Sequence, residues 1–377
     1  MTPSDSPKQP PRYTMIGGFL GAGKTTAVAA LAKHLSAQGL RVGLITNDQG
    51  SNLVDTAMLR SRGFATEEIA GGCFCCRFNS LTEAASKLTA ETRPDVFIAE
   101  PVGSCTDLVA TVSYPLRRIY GDHFQIAPLS VLMDPIRALR VLGLEEGGKF
   151  SEKVLYIFRK QLAEADAIIL NKVDLLTAEQ ISSLENALAR EFPEAKLFKI
   201  SARNGTGLED WFEYLNTELQ STRSAMSLDY DIYAEGEALL GWLNCTVDLK
   251  SVDDVDANEL LKTLATHIRC DLVKAGSEIG HLKMTLSPDV GLGDIAVINL
   301  VRSDYVPELS QALEEAVQSA QIIINLRAEA APEMLSRIVS DAIARTQGEI
   351  TGSTLALQHL EHFRPGRPNP THRMLTS

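Results

Sequence analysis

Four short stretches of this chain hold residues whose types and spacing could do chemistry. Gly18-Phe-Leu-Gly-Ala-Gly-Lys-Thr25 has the form G-x-x-x-x-G-K-[ST], in which glycines let successive backbone amides wrap phosphate oxygens. In such a loop Gly21, Ala22, Gly23 and Thr26 present amides to the anion at a helix N-terminus. Lys24 reaches the β- and γ-phosphates, and Thr25 holds Mg²⁺ through its hydroxyl. Further on, Asn171-Lys-Val-Asp174 follows an apolar run. Its Asp174 carboxylate would accept from guanine N1–H and the 2-amino group, a donor pair that adenine lacks. Asn171 would brace the loop, and the Lys172 stem would cover the base. Ser201 and Ala202, in Lys199-Ile-Ser-Ala-Arg203, fit the segment whose backbone meets the guanine oxygen. The expected nucleotides are GTP and GDP rather than ATP.

Between these motifs lies Phe97-Ile-Ala-Glu-Pro-Val-Gly103. Glu100, at a strand end, would approach Mg²⁺ through water, and the Gly103 amide would touch the γ-phosphate. Hydrolysis removes that contact and lets the segment relax. The competing reading of Glu100 is a buried cap of the next helix. On this assignment the catalytic set is Lys24, Thr25 and Glu100, with Asp48 or Gln49 as candidates to position the attacking water.

The fourth stretch is Gly71-Gly-Cys-Phe-Cys-Cys76, which holds half of the six cysteines. Three closely spaced thiols can converge on one soft-ligand ion, and Zn²⁺ favours tetrahedral thiolate sites. Cys73 and Cys75 are too close in sequence for an ordinary C-x₂-C knuckle, so a fourth ligand comes from elsewhere or the site stays open. A redox pair and simple apolar burial are the alternatives. Co²⁺ and Ni²⁺ stay open beside Zn²⁺.

In this order the motifs G-G-F-L-G-A-G-K-T-T, G-G-C-F-C-C, E-P-V-G and N-K-V-D resemble the CobW-type GTPases. These are metallochaperone NTPases related to the urease and hydrogenase nickel-insertion GTPases. The resemblance covers roughly residues 13–222. It implies a GTPase that binds Zn²⁺ or a similar ion and passes it to a client metalloprotein or a cobalt-cofactor pathway. It also implies nucleotide contacts at Lys24, Thr25, Glu100, Asn171, Lys172 and Asp174, and metal contacts at Cys73, Cys75 and Cys76. One departure is Thr46-Asn-Asp-Gln-Gly-Ser51, where many members of the family carry E-N-E-F-G-E. The loss of the outer glutamates favours an all-thiolate site. A GTP- and metal-binding sensor without turnover and a small-molecule kinase are the rival classes, and the kinase explains neither N-K-V-D nor C-x-C-C.

The elements that must position these residues are legible in outline. Strands are expected at 13–17, 42–46, 96–99, 129–133, 167–170 and 197–200, with helices between them, such as 25–37 and 178–191. That alternation predicts an α/β fold, a doubly wound, mostly parallel sheet of P-loop NTPase type. Residues 1–12 read as a flexible leader, 13–222 as the GTPase domain and 223–237 as a linker. Residues 238–350 are expected to form a smaller α+β domain, its strands and helices, among them a helix at 307–320, falling in the order of a ferredoxin-like split βαβ unit, with one extra helix at 331–346. Residues 351–377 read as a flexible, Pro-rich tail in which His359 and His362 sit at helical spacing and Arg364, Arg367 and Arg373 form a solvated charge run.

Composition limits the rest. Over 377 residues, 36 Lys and Arg against 48 Asp and Glu give a net charge of −12. So acidic a surface argues against nucleic acid or an anionic membrane as partner. No apolar run approaches the ~18–20 residues of a membrane span, and the leader lacks the apolar core of a signal peptide. The expectation is a reduced cytoplasmic protein, with a homodimer left open.

Overall fold

The computed structural model describes residues 10–47, 54–290 and 294–376. The first half of the chain builds an eight-stranded sheet from β1 (Arg12–Gly18), β2 (Val42–Asn47), β3 (Ala65–Ile69), β4 (Val96–Glu100), β5 (Gln125–Ile126), β6 (Ser130–Met133), β7 (Ala167–Leu170) and β8 (Lys196–Lys199). The order is β3-β2-β4-β1-β6-β7-β8, with β5 beside β1, and every pairing is parallel. Val-Phe-Ile-Ala at 96–99 and Ala-Ile-Ile-Leu at 167–170 are apolar without alternation because both faces are covered. Helices Lys24–Ala37 and Leu208–Thr217 pack one face, and Phe78–Glu91, Glu152–Glu164 and Ala178–Glu191 pack the other. Because the strands run together, the loops that leave their carboxyl ends gather along one edge. Every motif above starts from that edge.

The second half forms an antiparallel sheet from β9 (Leu240–Val255), β10 (Ile279–Pro288), β11 (Ala296–Leu300), β12 (Glu308–Gln311), β13 (Val317–Glu329) and β14 (Ser353–Phe363), in the order β12-β11-β10-β13-β9-β14. Helices Ala257–Lys274 and Pro332–Glu349 cover one face and share its apolar core. The run β14-β9-β13-β10 has the strand order of a split βαβ unit, extended at its edge by β11 and β12.

Three expectations are corrected. The helix at 307–320 is instead β12 and the start of β13. Leu309, Leu313 and Val317 recur at a helical interval, but the backbone on either side is drawn into pairing with β11 and β9. The linker region contains a helix, Tyr230–Leu239, whose N-terminus is capped by Asp229 accepting from the amides of Asp231 and Ile232. The tail is not loose: β14 pairs along β9 from Ser353 to Phe363, so His359 and His362 fall on opposite faces of a strand. Beyond it, Arg364 donates to the Ala238 carbonyl at 2.6 Å, Arg367 pairs with Asp231 at 2.6 Å, and Arg373 pairs with Asp107 at 2.7 Å. Charges that read as solvated in the sequence find their partners within the chain.

Candidate functional site

A cavity of about 770 Å³ opens at the carboxyl edge of the parallel sheet. Gly21, Gly23, Lys24, Thr25, Thr26, Glu100, Gly103, Asn171, Lys172, Asp174 and Ala202 all line it, so residues spread over some 180 positions share one space. Gly23 has φ +91°, and a Cβ there would lie 2.4 Å from Asn171 Nδ2. Glycine is therefore required where the N-K-V-D loop closes on the phosphate loop. Asn171 Nδ2 donates to the Ala22 carbonyl at 2.9 Å, while its Oδ1 accepts from the amides of Lys172 at 2.8 Å and Ala202 at 3.0 Å. These bonds tie the N-K-V-D turn to the phosphate loop and to the segment after β8. Ser201 is buried, with its amide bonded to the Thr206 carbonyl at 2.9 Å. Asp174 is exposed at the cavity wall.

Thr25 Oγ1 donates to Glu100 Oε1 at 3.0 Å, and both residues are buried. A hydroxyl and a carboxylate oxygen side by side at a helix N-terminus are the hard donors that Mg²⁺ takes. Lys24 Nζ rests 3.4 Å from the Phe19 carbonyl, folded over the loop it would leave to meet a phosphate. Asp48 and Gln49 lie outside the described residues.

Asp134 escaped the sequence reading. It caps helix Pro135–Val141 by accepting from the Arg137 amide at 3.0 Å, and it binds Lys172 Nζ at 2.8 Å and Arg302 at 3.3 Å. Burial alone would raise its pKa, but Lys172 and the cap hold it at about 2. Lys172 is thereby fixed over the Gly21 carbonyl at 2.8 Å. Gln161 was also missed: its Nε2 donates to the carbonyls of Gly103 at 3.0 Å and Cys105 at 2.8 Å, pinning the turn after Glu100. Neither residue belongs to a motif, so no local signal marked it.

The cysteines form a second centre. Sulfur separations are 2.6 Å for Cys73–Cys75, 3.3 Å for Cys73–Cys76 and 3.7 Å for Cys75–Cys76, and their ligand atoms all lie within 4.8 Å of one another. Asn47, at the end of β2, shapes the loop that carries them. Its Nδ2 donates to the carbonyls of Ile69 at 2.9 Å and Gly72 at 2.6 Å, and its Oδ1 accepts from the Phe74 amide at 2.9 Å. Cys105, distant in sequence, is buried near them, and its thiol influences the titration of both Cys73 and Cys75. Bonding with Cys105, Cys75 and Cys76 holds Cys73 well below the usual thiol range, while Cys75 is raised by its bonds to Cys105 and Cys73. Cys76 is pushed up to about 11 by its bond to Cys73. One thiolate among neutral thiols is a starting point for a soft cation, which displaces the remaining protons as it binds. The C-terminal segment closes over this centre. Asn369 N donates to Cys76 Sγ at 3.2 Å, Thr371 N to the Cys75 carbonyl at 2.8 Å, and the His372 ring packs edge-on against Phe78.

Among the described residues no helix is long and apolar enough to cross a membrane. Comparison with known proteins agrees with the geometry. The chain is 32% identical over 213 residues to a zinc chaperone CobW of Sinorhizobium sp, covering 51% of this chain and 59% of that protein. It is 32% identical over 178 residues to the zinc chaperone YeiR of Escherichia coli, covering 46% and 50% respectively. It is 29% identical over 201 residues to the hydrogenase maturation factor HypB of Escherichia coli, covering 52% and 60%. The chain thus spans about half to three fifths of the length of these curated relatives. Residues 12–199 match the family model described as CobW/HypB/UreG, nucleotide-binding domain, and through this half the chain belongs to the CobW-type metallochaperone GTPases.

Proposed function

We propose that this protein is a GTP-driven carrier of Zn²⁺ or a similar divalent ion, which it delivers to a client metalloprotein or to a protein of a cobalt-cofactor pathway. The observation that carries this reading is the stretch from Glu100 to Cys105. At one end Glu100 is bonded to Thr25 in the nucleotide cavity, and at the other the buried Cys105 thiol acts on the titration of Cys73 and Cys75. A change at the γ-phosphate therefore has a five-residue path to the sulfur cluster. On this reading Cys105 is the fourth sulfur beside Cys73, Cys75 and Cys76, which makes the all-thiolate set that Zn²⁺ accepts in a tetrahedron.

The reaction is attack of water on the γ-phosphate of GTP. Lys24 and the amides of the loop would stabilise charge on the transferred group, and Asp174 would select guanine. Mg²⁺, held by Thr25 Oγ1 with Glu100 beside it, would neutralise charge on the β- and γ-phosphate oxygens when bound. Gln161 keeps the Gly103 turn in place while Glu100 stays anchored.

The test is anaerobic metal analysis together with nucleotide turnover on the full chain. The expected result is one Zn²⁺ per chain, lost in Cys73→Ser, and hydrolysis of GTP in preference to ATP. Metal content unchanged in Cys73→Ser, or equal turnover of ATP, would overturn the reading.

A further inference from the structure

The antiparallel sheet has an unusual second face. Along β10, Leu282, Met284 and Leu286 point into the apolar core under the two helices. The alternate residues His281 and Lys283 point the other way and line the nucleotide cavity. Their neighbours on β9 and β13 include Asn244, Asn325 and Arg327, all buried although polar. A sheet face turned to water would leave such residues exposed. Here it is turned to the phosphate loop instead.

The approach is close. A Cβ on Gly21 would stand 2.9 Å from Val301 Cβ and 3.1 Å from the Gly280 carbonyl, at φ +77°. Arg137, itself buried, locks the two sheets by donating to the carbonyls of Ile279 at 3.2 Å and Val301 at 2.6 Å, and it lies over the rings of Phe150 and Phe19. Asn325 Oδ1 on β13 accepts from the Val54 amide at 3.0 Å, so the same face also holds the start of helix Val54–Ser61.

Lys283 Nζ lies 3.5 Å from Thr25 Oγ1. We propose that the C-terminal sheet completes the nucleotide site and that Lys283 is the cation it supplies to the γ-phosphate of GTP. Lys283 stands on the antiparallel sheet and Lys24 on the phosphate loop, and both line the one cavity. Lys283 takes the role that a partner's arginine plays in GTPases that need one, but from within the same chain. His281 beside it is buried and held neutral by burial and by the surrounding cations, Lys283 among them, so it adds no competing charge.

This inference rests on the GTPase reading, and its test separates the two. Single-turnover GTP hydrolysis would be measured on the full chain and on Lys283→Met and Lys283→Arg, each checked by thermal melting. In parallel, affinities would be measured for GDP, for GDP with aluminium fluoride and for a non-hydrolysable GTP analogue. Lys283→Met is expected to slow hydrolysis by roughly a hundredfold, as loss of a charge donor to the transition state does. Binding of GDP should change by less than about threefold, while the aluminium fluoride complex and the GTP analogue weaken by about tenfold or more. Lys283→Arg should recover most of the rate. Hydrolysis in Lys283→Met within twofold of the parent chain, or an equal loss for GDP and both triphosphate mimics, would overturn the proposal. If the parent chain bound GTP without hydrolysing it, the GTPase reading would fall. The ratio of analogue to GDP affinity would still decide the role of Lys283.

Discussion

Asn47 Nδ2 lies 2.6 Å from the Gly72 carbonyl, joining the wall of the nucleotide cavity to the loop that carries the cysteines. Asn47 ends β2, next in sequence to Asp48 and Gln49, the candidates to position the attacking water. Any shift of that strand end is therefore felt at Cys73 and Cys75. Asn47→Ala leaves the carbonyls of Ile69 and Gly72 and the Phe74 amide without this partner in a buried site. The expected cost is about 1–3 kcal/mol of stability, read as a lower midpoint in chemical denaturation. The difference in zinc affinity between nucleotide states should shrink with it.

The base-reading assignment has a sharp consequence. Asp174→Asn replaces the acceptor carboxylate with an amide that offers a donor in its place. Preference should move from guanine towards xanthine nucleotides, by about tenfold or more in relative affinity. Competition binding with GDP and XDP checks this, and unchanged preference would remove Asp174 from the base site.

Cys105 distinguishes a three-sulfur site from a four-sulfur one. Co²⁺ bound anaerobically to the parent chain should show the visible bands of tetrahedral thiolate coordination. In Cys105→Ser these should weaken and shift as one sulfur gives way to oxygen, with zinc affinity falling by about tenfold or more. An identical spectrum would mean that Cys105 packs beside the metal without binding it.

Glu164 gives the fold a pH dependence of its own. It is buried, its Oε1 accepts from Thr106 Oγ1 at 3.0 Å and its Oε2 from the Val109 amide at 3.1 Å. Burial, with Asp107 nearby, raises its pKa from 4.5 to about 8. Between these values the folded chain holds a proton that the unfolded chain has lost. This contribution to stability is therefore fully present below about pH 4.5, declines as pH rises, and is gone above about pH 8. Glu164→Gln keeps an acceptor for the Val109 amide and turns a donor toward Thr106, whose hydroxyl then accepts instead of donating. It should flatten the fall in stability over that window, as followed by denaturant midpoints at pH 5, 6, 7 and ~8.

Much of this was legible beforehand because it is local. The phosphate loop, the N-K-V-D turn and the cysteine run are each contiguous, and both-face burial leaves unbroken apolar strands such as Ala167–Leu170. What escaped depends on the meeting of distant segments. Asp134, Gln161 and Cys105 belong to no motif, and their roles come from partners brought in by the fold. The tail was misread for the same reason: Arg364, Arg367 and Arg373 look solvated until Ala238, Asp231 and Asp107 are placed beside them. β12 was hidden by an apolar interval that a helix would share, and only pairing with β11 decides it. The contribution of the antiparallel sheet to the cavity had no signature, since alternation on β10 tells that one face is polar but not what it meets.

The central claim is that nucleotide state sets metal affinity. The direct measurement is an anaerobic Zn²⁺ titration against a competing chelator, with the full chain loaded in turn with GDP and with a non-hydrolysable GTP analogue. The account predicts a difference of tenfold or more, about 1.4 kcal/mol of coupling, which Asn47→Ala reduces. Equal affinities in the two states would contradict it and would leave the cysteines a static site beside a GTPase.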